Sequence, residues 1–213
     1  MSKPDKNLSE WVDLIDESDL VSMSLGELID STAKDFPETE ALVYSNQPDV
    51  NDIRWTYKSL SQMSTNLAKG FLDAGFTSGD TVGVWGPNHP EWILTEYALA
   101  KAGLKLVTLN PLYKEKELIF ALNTVNATGL IHADEIGGIK GIDVISKIKS
   151  EISSLKHIYS FDSGLKGLMK GGEGSSTQLP LINPKDVFMI QYTSGTTGVP
   201  KAAQMTHEAL VTS

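Results

Sequence analysis

Apolar residues recur along this chain in two alternating rhythms. Leu25, Leu28 and Ile29 fall at helical spacing, and Ser24 with Glu27 three residues on has the form of a capping box. Phe36-Pro37 should end that helix. Short β-prone runs at 40–45 and 53–57 flank the turn-rich stretch 46–52, which predicts a hairpin. Leu60, Met63, Leu67 and Phe71 return to helical spacing, with Gly75 at the place of a C-terminal cap.

Strand and helix then alternate. Strands are expected at 81–85, 104–109, 129–132, 157–161 and 186–192. Helices are expected at 90–102, at 114–125 and through Ile142, Ile145, Ile148 and Ile152. Such a rhythm makes an α/β fold: a mostly parallel sheet flanked by helices, with ligands gathering outside the carboxyl ends of the strands. Asn88 is expected as the N-cap of the helix that Pro90 opens. The glycines of 163–176, set among lysines and serines, predict a mobile surface loop. A phosphate cradle there is disfavoured, because no helix-opening pattern follows.

Composition narrows the chemistry. The 213 residues are 40% hydrophobic and 21% charged, enough to bury a core. Without cysteine there is no disulfide, thiolate metal site or thiol nucleophile. A formal net charge of -9 argues against a nucleic-acid partner, which needs clustered cations. The acidic leader, residues 1–23, has neither the apolar core of a signal peptide nor the arginine-rich, acid-poor character of a transit peptide. The most apolar region, 92–109, is interrupted by Glu96, Lys101 and Lys105, so no membrane span is expected. The expected location is intracellular, with the cytoplasm favoured and the mitochondrion or peroxisome left open.

The candidate chemistry lies after the last strand. Thr193-Ser194-Gly195-Thr196-Thr197-Gly198-Val199-Pro200-Lys201 joins hydroxyls, two glycines and a lysine, and a helix should open at Thr206. Glycines let backbone N–H groups approach an anion, hydroxyls add donors, and lysine supplies a compact positive charge suited to polyphosphate. A Walker A loop does not fit: only two residues separate Gly195 from Gly198, and Ala202 stands where the magnesium-binding hydroxyl should be. A serine nucleophile elbow fails as well, because Tyr192 occupies a position that requires glycine. On composition alone, a plain surface turn carries about half the weight.

The run from Thr193 to Lys201 resembles the Thr-Ser-Gly-Thr-Thr-Gly-x-Pro-Lys signature of the adenylate-forming superfamily, and Thr206-His207 resembles the pair that follows it. The resemblance extends upstream through Phe36-Pro37-Glu38, Gly79-Asp80-Thr81-Val82, Trp85-Gly86-Pro87-Asn88 and Asn110-Pro111-Leu112-Tyr113. The last two groups look most like the medium-chain acyl-CoA ligase branch. It implies that a fatty acid carboxylate attacks the α-phosphorus of ATP, releasing pyrophosphate, and that the acyl group then passes to coenzyme A. Residues 193–201 would bind the phosphates, with Lys201 stabilising charge on the departing pyrophosphate. His207 is a candidate on the acyl side, weighed against simple packing. ATP, magnesium and coenzyme A are the implied cofactors, and a fatty acid the implied partner.

The sequence departs from the family at Ala202, where glycine is usual. It also ends at Ser213, before the family's adenine-binding, metal-binding and ribose-binding segments. The expectation is therefore that residues 24–213 form part of an adenylating domain, the N-terminal part of the enzyme's large domain, with no metal ligand in this chain and no activity in isolation. The alternative is a genuine short noncatalytic nucleotide-binding or interaction protein.

Overall fold

The computed structural model describes residues 21–45, 52–193 and 200–213. Helix α1 (Leu25–Asp35) opens on the expected capping box: Ser24 Oγ accepts from the Glu27 N–H, and the Glu27 carboxylate accepts from the Ser24 N–H at 2.7 Å. The hairpin follows as β1 (Glu40–Tyr44) and β2 (Ile53–Thr56), paired antiparallel. Thr56 caps α2 (Tyr57–Asp73), and the chain turns out of that helix through Gly75 at φ +97°.

The alternating region builds β3 (Thr81–Trp85), α3 (Pro90–Ala102), β4 (Lys105–Leu109), α4 (Glu115–Thr124), β5 (Gly129–His132), α5 (Gly141–Ile148) and β8 (His157–Ser160). Between β5 and α5 sits a small hairpin that periodicity does not reveal, β6 (Glu135–Ile136) with β7 (Ile139–Lys140). After β8 come α6 (Ser163–Gly172), β9 (Val187–Thr193), β10 (Lys201–Thr206) and α7 (His207–Thr212).

The main sheet has the order β10-β9-β4-β3-β5-β8. All its pairings are parallel except β9 with β10, which form an antiparallel hairpin at one edge. β3 lies near the centre and is buried along its whole length. One face packs on α1, α2, α3, α6 and α7 through residues such as Ile29, Phe71, Leu99, Leu165 and Phe188. The other packs on α4 and α5 through Leu118, Leu122, Ile145 and Ile148. Coverage on both faces explains why the central strands read as continuous apolar runs.

Two expectations need correction. Asn88 is not the N-cap of α3; His89 holds that position without a side-chain cap, and Pro90 opens the helix. The stretch expected as a mobile loop is α6, whose Leu165, Leu168 and Met169 pack into the core. Two of its glycines, Gly164 and Gly172, serve contact rather than flexibility. A Cβ on Gly172 would lie 1.9 Å from the Asn66 carbonyl oxygen, and one on Gly70 would lie 2.1 Å from that of Leu168. The helices α2 and α6 therefore touch backbone to backbone.

Lys101 locks the helical layer together from inside. Its ammonium, almost fully buried, donates to Asp30 on α1 at 2.5 Å and to Thr65 Oγ1 on α2 at 2.9 Å. The Ser61 carbonyl accepts a further bond at 3.0 Å, so the charge is fully partnered. Among the described residues no helix is long and apolar enough to cross a membrane.

Candidate functional site

The carboxyl ends of β3, β4, β5, β8 and β9 lie on one edge of the sheet, because these strands run parallel. The motif residues 86–88 and 110–113 follow β3 and β4 directly, so the fold gathers them along that edge together with Thr193 at the end of β9. Strand order marks two places on it where the chain diverges, between β3 and β5 and between β4 and β9, and the second adjoins the signature segment. The chain leaves β4 toward β5 and leaves β9 toward β10, in opposite directions across the sheet. Such a divergence opens a crevice between neighbouring strand ends, the usual ligand position in α/β sheets.

A cleft of about 310 Å³ occupies this position, lined by Tyr113, Lys116, Phe120, Ala121, Tyr192 and Pro200. The Tyr192 hydroxyl donates to the Ala121 carbonyl at 2.6 Å, tying the end of β9 to α4. Burial pushes the Tyr192 phenol above its ordinary range, so it stays protonated and keeps that bond. Phe120 stands beside the Tyr192 ring at 6.4 Å between centroids. Tyr113 is named by its motif, whereas nothing in the spacing of Phe120 sets it apart from an ordinary helix residue. A larger concavity of about 590 Å³, lined by His132, Asp134, Lys140 and Ser160, lies toward the other side of the sheet at the ends of β5 and β8.

Of the expected phosphate-binding residues, Thr193, Pro200 and Lys201 are described and exposed. Ser194, Gly195, Thr196, Thr197, Gly198 and Val199 lie outside the described residues. Thr193 and Lys201 face each other across the β9–β10 hairpin, with Thr193 Oγ1 3.5 Å from the Lys201 carbonyl oxygen. Lys201 makes no ion pair among the described residues and stands at the base of the connecting segment. Strand β10 was hidden because Ala202, Ala203 and Gln204 show no alternation; pairing with β9 imposes the extended form.

His207 sits elsewhere, packed inside the molecule at 2% exposure. Its ring stacks on Phe188 at 4.7 Å between centroids, and its Nδ1 accepts the Leu25 N–H at 3.3 Å. Burial pushes its pKa down, opposed by the nearby carboxylates of Asp186 and Glu27.

The described donors suit an anion: Thr193 and Lys201 pair at the two ends of a segment rich in glycine and hydroxyls, and among the described residues the Lys201 ammonium makes no ion pair. Among the described residues no group of three His, Asp or Glu side chains could hold a metal ion, so no metal site is assigned.

Comparison with known proteins gives this geometry a context. A family profile described as AMP-binding enzyme matches residues 29–213, which include the glycine-rich α6. The mouse mitochondrial medium-chain acyl-CoA ligase ACSF2 is 32% identical over 220 residues, covering 92% of this chain and 35% of the relative. The human ACSF2 protein is 31% identical over 217 residues, with 90% and 35% covered. Among solved structures, a long-chain-fatty-acid-CoA ligase (FadD1) from Archaeoglobus fulgidus superposes with a TM-score of 0.77 at 28% identity, over 88% of this chain and 37% of the other. The N-terminal domain of FACL13 from Mycobacterium tuberculosis shares the fold with a TM-score of 0.73 at 24% identity, over 86% and 44%. The chain thus spans about 35% of the length of the relatives it matches in sequence.

Proposed function

This chain belongs to the AMP-binding enzyme family, and on that premise we propose that it supplies the phosphate-binding part of an ATP-dependent fatty acid–CoA ligase. The reading is carried by one observation. Thr193 and Lys201, at the two ends of the segment whose sequence resembles the family signature, pair in the β9–β10 hairpin beside the crevice where β4 and β9 diverge.

In the proposed reaction a fatty acid carboxylate oxygen attacks the α-phosphorus of ATP, the bond to the β-phosphate bridging oxygen breaks, and pyrophosphate leaves. Coenzyme A thiolate then attacks the acyl carbonyl and displaces AMP. Negative charge accumulates on the pyrophosphate oxygens during the first step. Thr193, Ser194, Thr196 and Thr197 would donate hydroxyl hydrogen bonds to it, Gly195 and Gly198 backbone N–H groups, and Lys201 a full positive charge. Val199 and Pro200 complete the binding segment in sequence, and Pro200 stands immediately before β10. Magnesium enters with ATP as part of the substrate, and no step is assigned to it.

The test is Lys201→Ala in a form of the protein that makes acyl-adenylate. Loss of a charge felt mainly in the transition state should slow pyrophosphate release roughly 100-fold or more while fatty acid binding stays within about threefold. An unchanged rate removes Lys201 from this role.

A further inference from the structure

We propose that His207 is a positioning residue: its neutral imidazole latches the β9–β10 arm to the amino-terminal end of α1, and protonation releases the latch. The arm ends at this residue. Thr206 caps α7 through its Oγ1, and His207 follows as the first helical position. From there the His207 N–H donates to the Asp186 carbonyl at the foot of β9, and the Glu208 N–H to the Pro184 carbonyl. Both bonds tie α7 to the start of its own hairpin. The hydrogen bond from the Leu25 N–H to His207 Nδ1 is different in kind, because it reaches 182 residues back along the chain.

That bond also completes the cap of α1. Ser24 satisfies the Glu27 N–H and the Leu28 N–H, leaving Leu25 among the free first-turn amides. A buried side chain from the far end of the sequence supplies its acceptor. Leu210 and Val211 of α7 pack beside it against the same core.

The bond fixes the chemistry of the ring. An imidazole nitrogen that accepts carries no proton, so the neutral form must hold its hydrogen on Nε2. The imidazolium has two donors and no acceptor. Protonation would place a donor against the Leu25 N–H and a cation at the positive end of the α1 dipole. The charged groups nearby are Asp186 before β9 and Glu27 in the first turn of α1, both favouring the cation, with Glu208 next along α7; burial works against them and prevails. The sign follows. With its pKa held below the ordinary 6.5, the histidine contributes stability that is present above that value and is lost as pH falls below it.

The consequence for phosphate binding rests on the proposed function, since the same arm carries Lys201. The latch itself does not. In the 15N-labelled chain, the His207 nitrogens should show an unprotonated Nδ1 and a protonated Nε2 near neutral pH; the reverse assignment overturns the proposal without any variant. In His207→Phe, which keeps the stack on Phe188 and loses the acceptor, hydrogen exchange at Leu25 should rise roughly tenfold relative to Leu28 in the same helix, together with exchange along the β9–β10 ladder. His207→Asn, whose Oδ1 can stand in for Nδ1, should restore both and remove the loss of protection, relative to the intrinsic exchange rate, that the latch predicts for the wild type on acidification. Unchanged Leu25 exchange in His207→Phe, or a latch that breaks while the β9–β10 ladder stays protected, contradicts the proposal. If inorganic pyrophosphate fails to bind the wild-type chain, the proposed function falls while the exchange result still judges the latch.

Discussion

Glu96 lies half-buried on α3, with no cation and no hydrogen-bond donor placed against it among the described residues. Burial alone pushes its carboxyl from 4.5 up to about 7. The nearby Tyr97 phenol is raised by the same desolvation and by the Glu96 charge. An acid whose pKa is higher in the folded state costs nothing below about 4.5, an increasing amount up to about 7, and its full penalty above. At about 1.4 kcal/mol per pKa unit, less what partial solvent access relieves, the penalty is about 1–3 kcal/mol. Glu96→Gln should therefore raise the unfolding free energy by that amount at pH 8 and leave it nearly unchanged at pH 4.5, as measured by denaturant titration. Equal effects at both pH values would mean that the carboxyl is not desolvated. Lys101 shows the opposite arrangement little more than a turn away, a buried charge partnered by four oxygens from two helices.

Among the elements, those with strong periodicity were legible from the sequence and those held by tertiary contact were not. Ser24 and Glu27 announced α1, and Leu60, Met63, Leu67 and Phe71 announced α2, because each pattern is local. Helix α6 was masked: glycine lowers helix propensity, and five glycines in 163–176 outweighed Leu165, Leu168 and Met169. Only its packing on α2 shows why some of them are needed. Gly172→Ala should destabilise the protein by about 2–3 kcal/mol, since backbone on both sides would have to move. Gly171→Ala, where an added Cβ meets nothing within 4 Å, should stabilise by about 0.5–1 kcal/mol. Thermal unfolding of the two variants checks the contrast, and similar shifts would deny the close approach of α2 and α6. Strand β10 escaped for a related reason, being extended by its pairing with β9 rather than by its own residues.

At the scale of the whole molecule, sheet order decides where chemistry can occur. The segment 193–201 was recognisable from its residue types, but the place of its Pro200 beside Tyr113 and Tyr192 follows only from the way the chain diverges between β4 and β9. His207, close to Lys201 in sequence, turned out to serve the core, and burial is not readable from a first-turn histidine. The account makes this hairpin an anion site in an otherwise acidic molecule, and the most direct test is titration of the 15N-labelled chain with inorganic pyrophosphate. It predicts saturable shifts at the Thr193 and Lys201 amides, with affinity weakened roughly tenfold or more in Lys201→Ala. Shifts absent at millimolar pyrophosphate, or indifferent to Lys201→Ala, would contradict it.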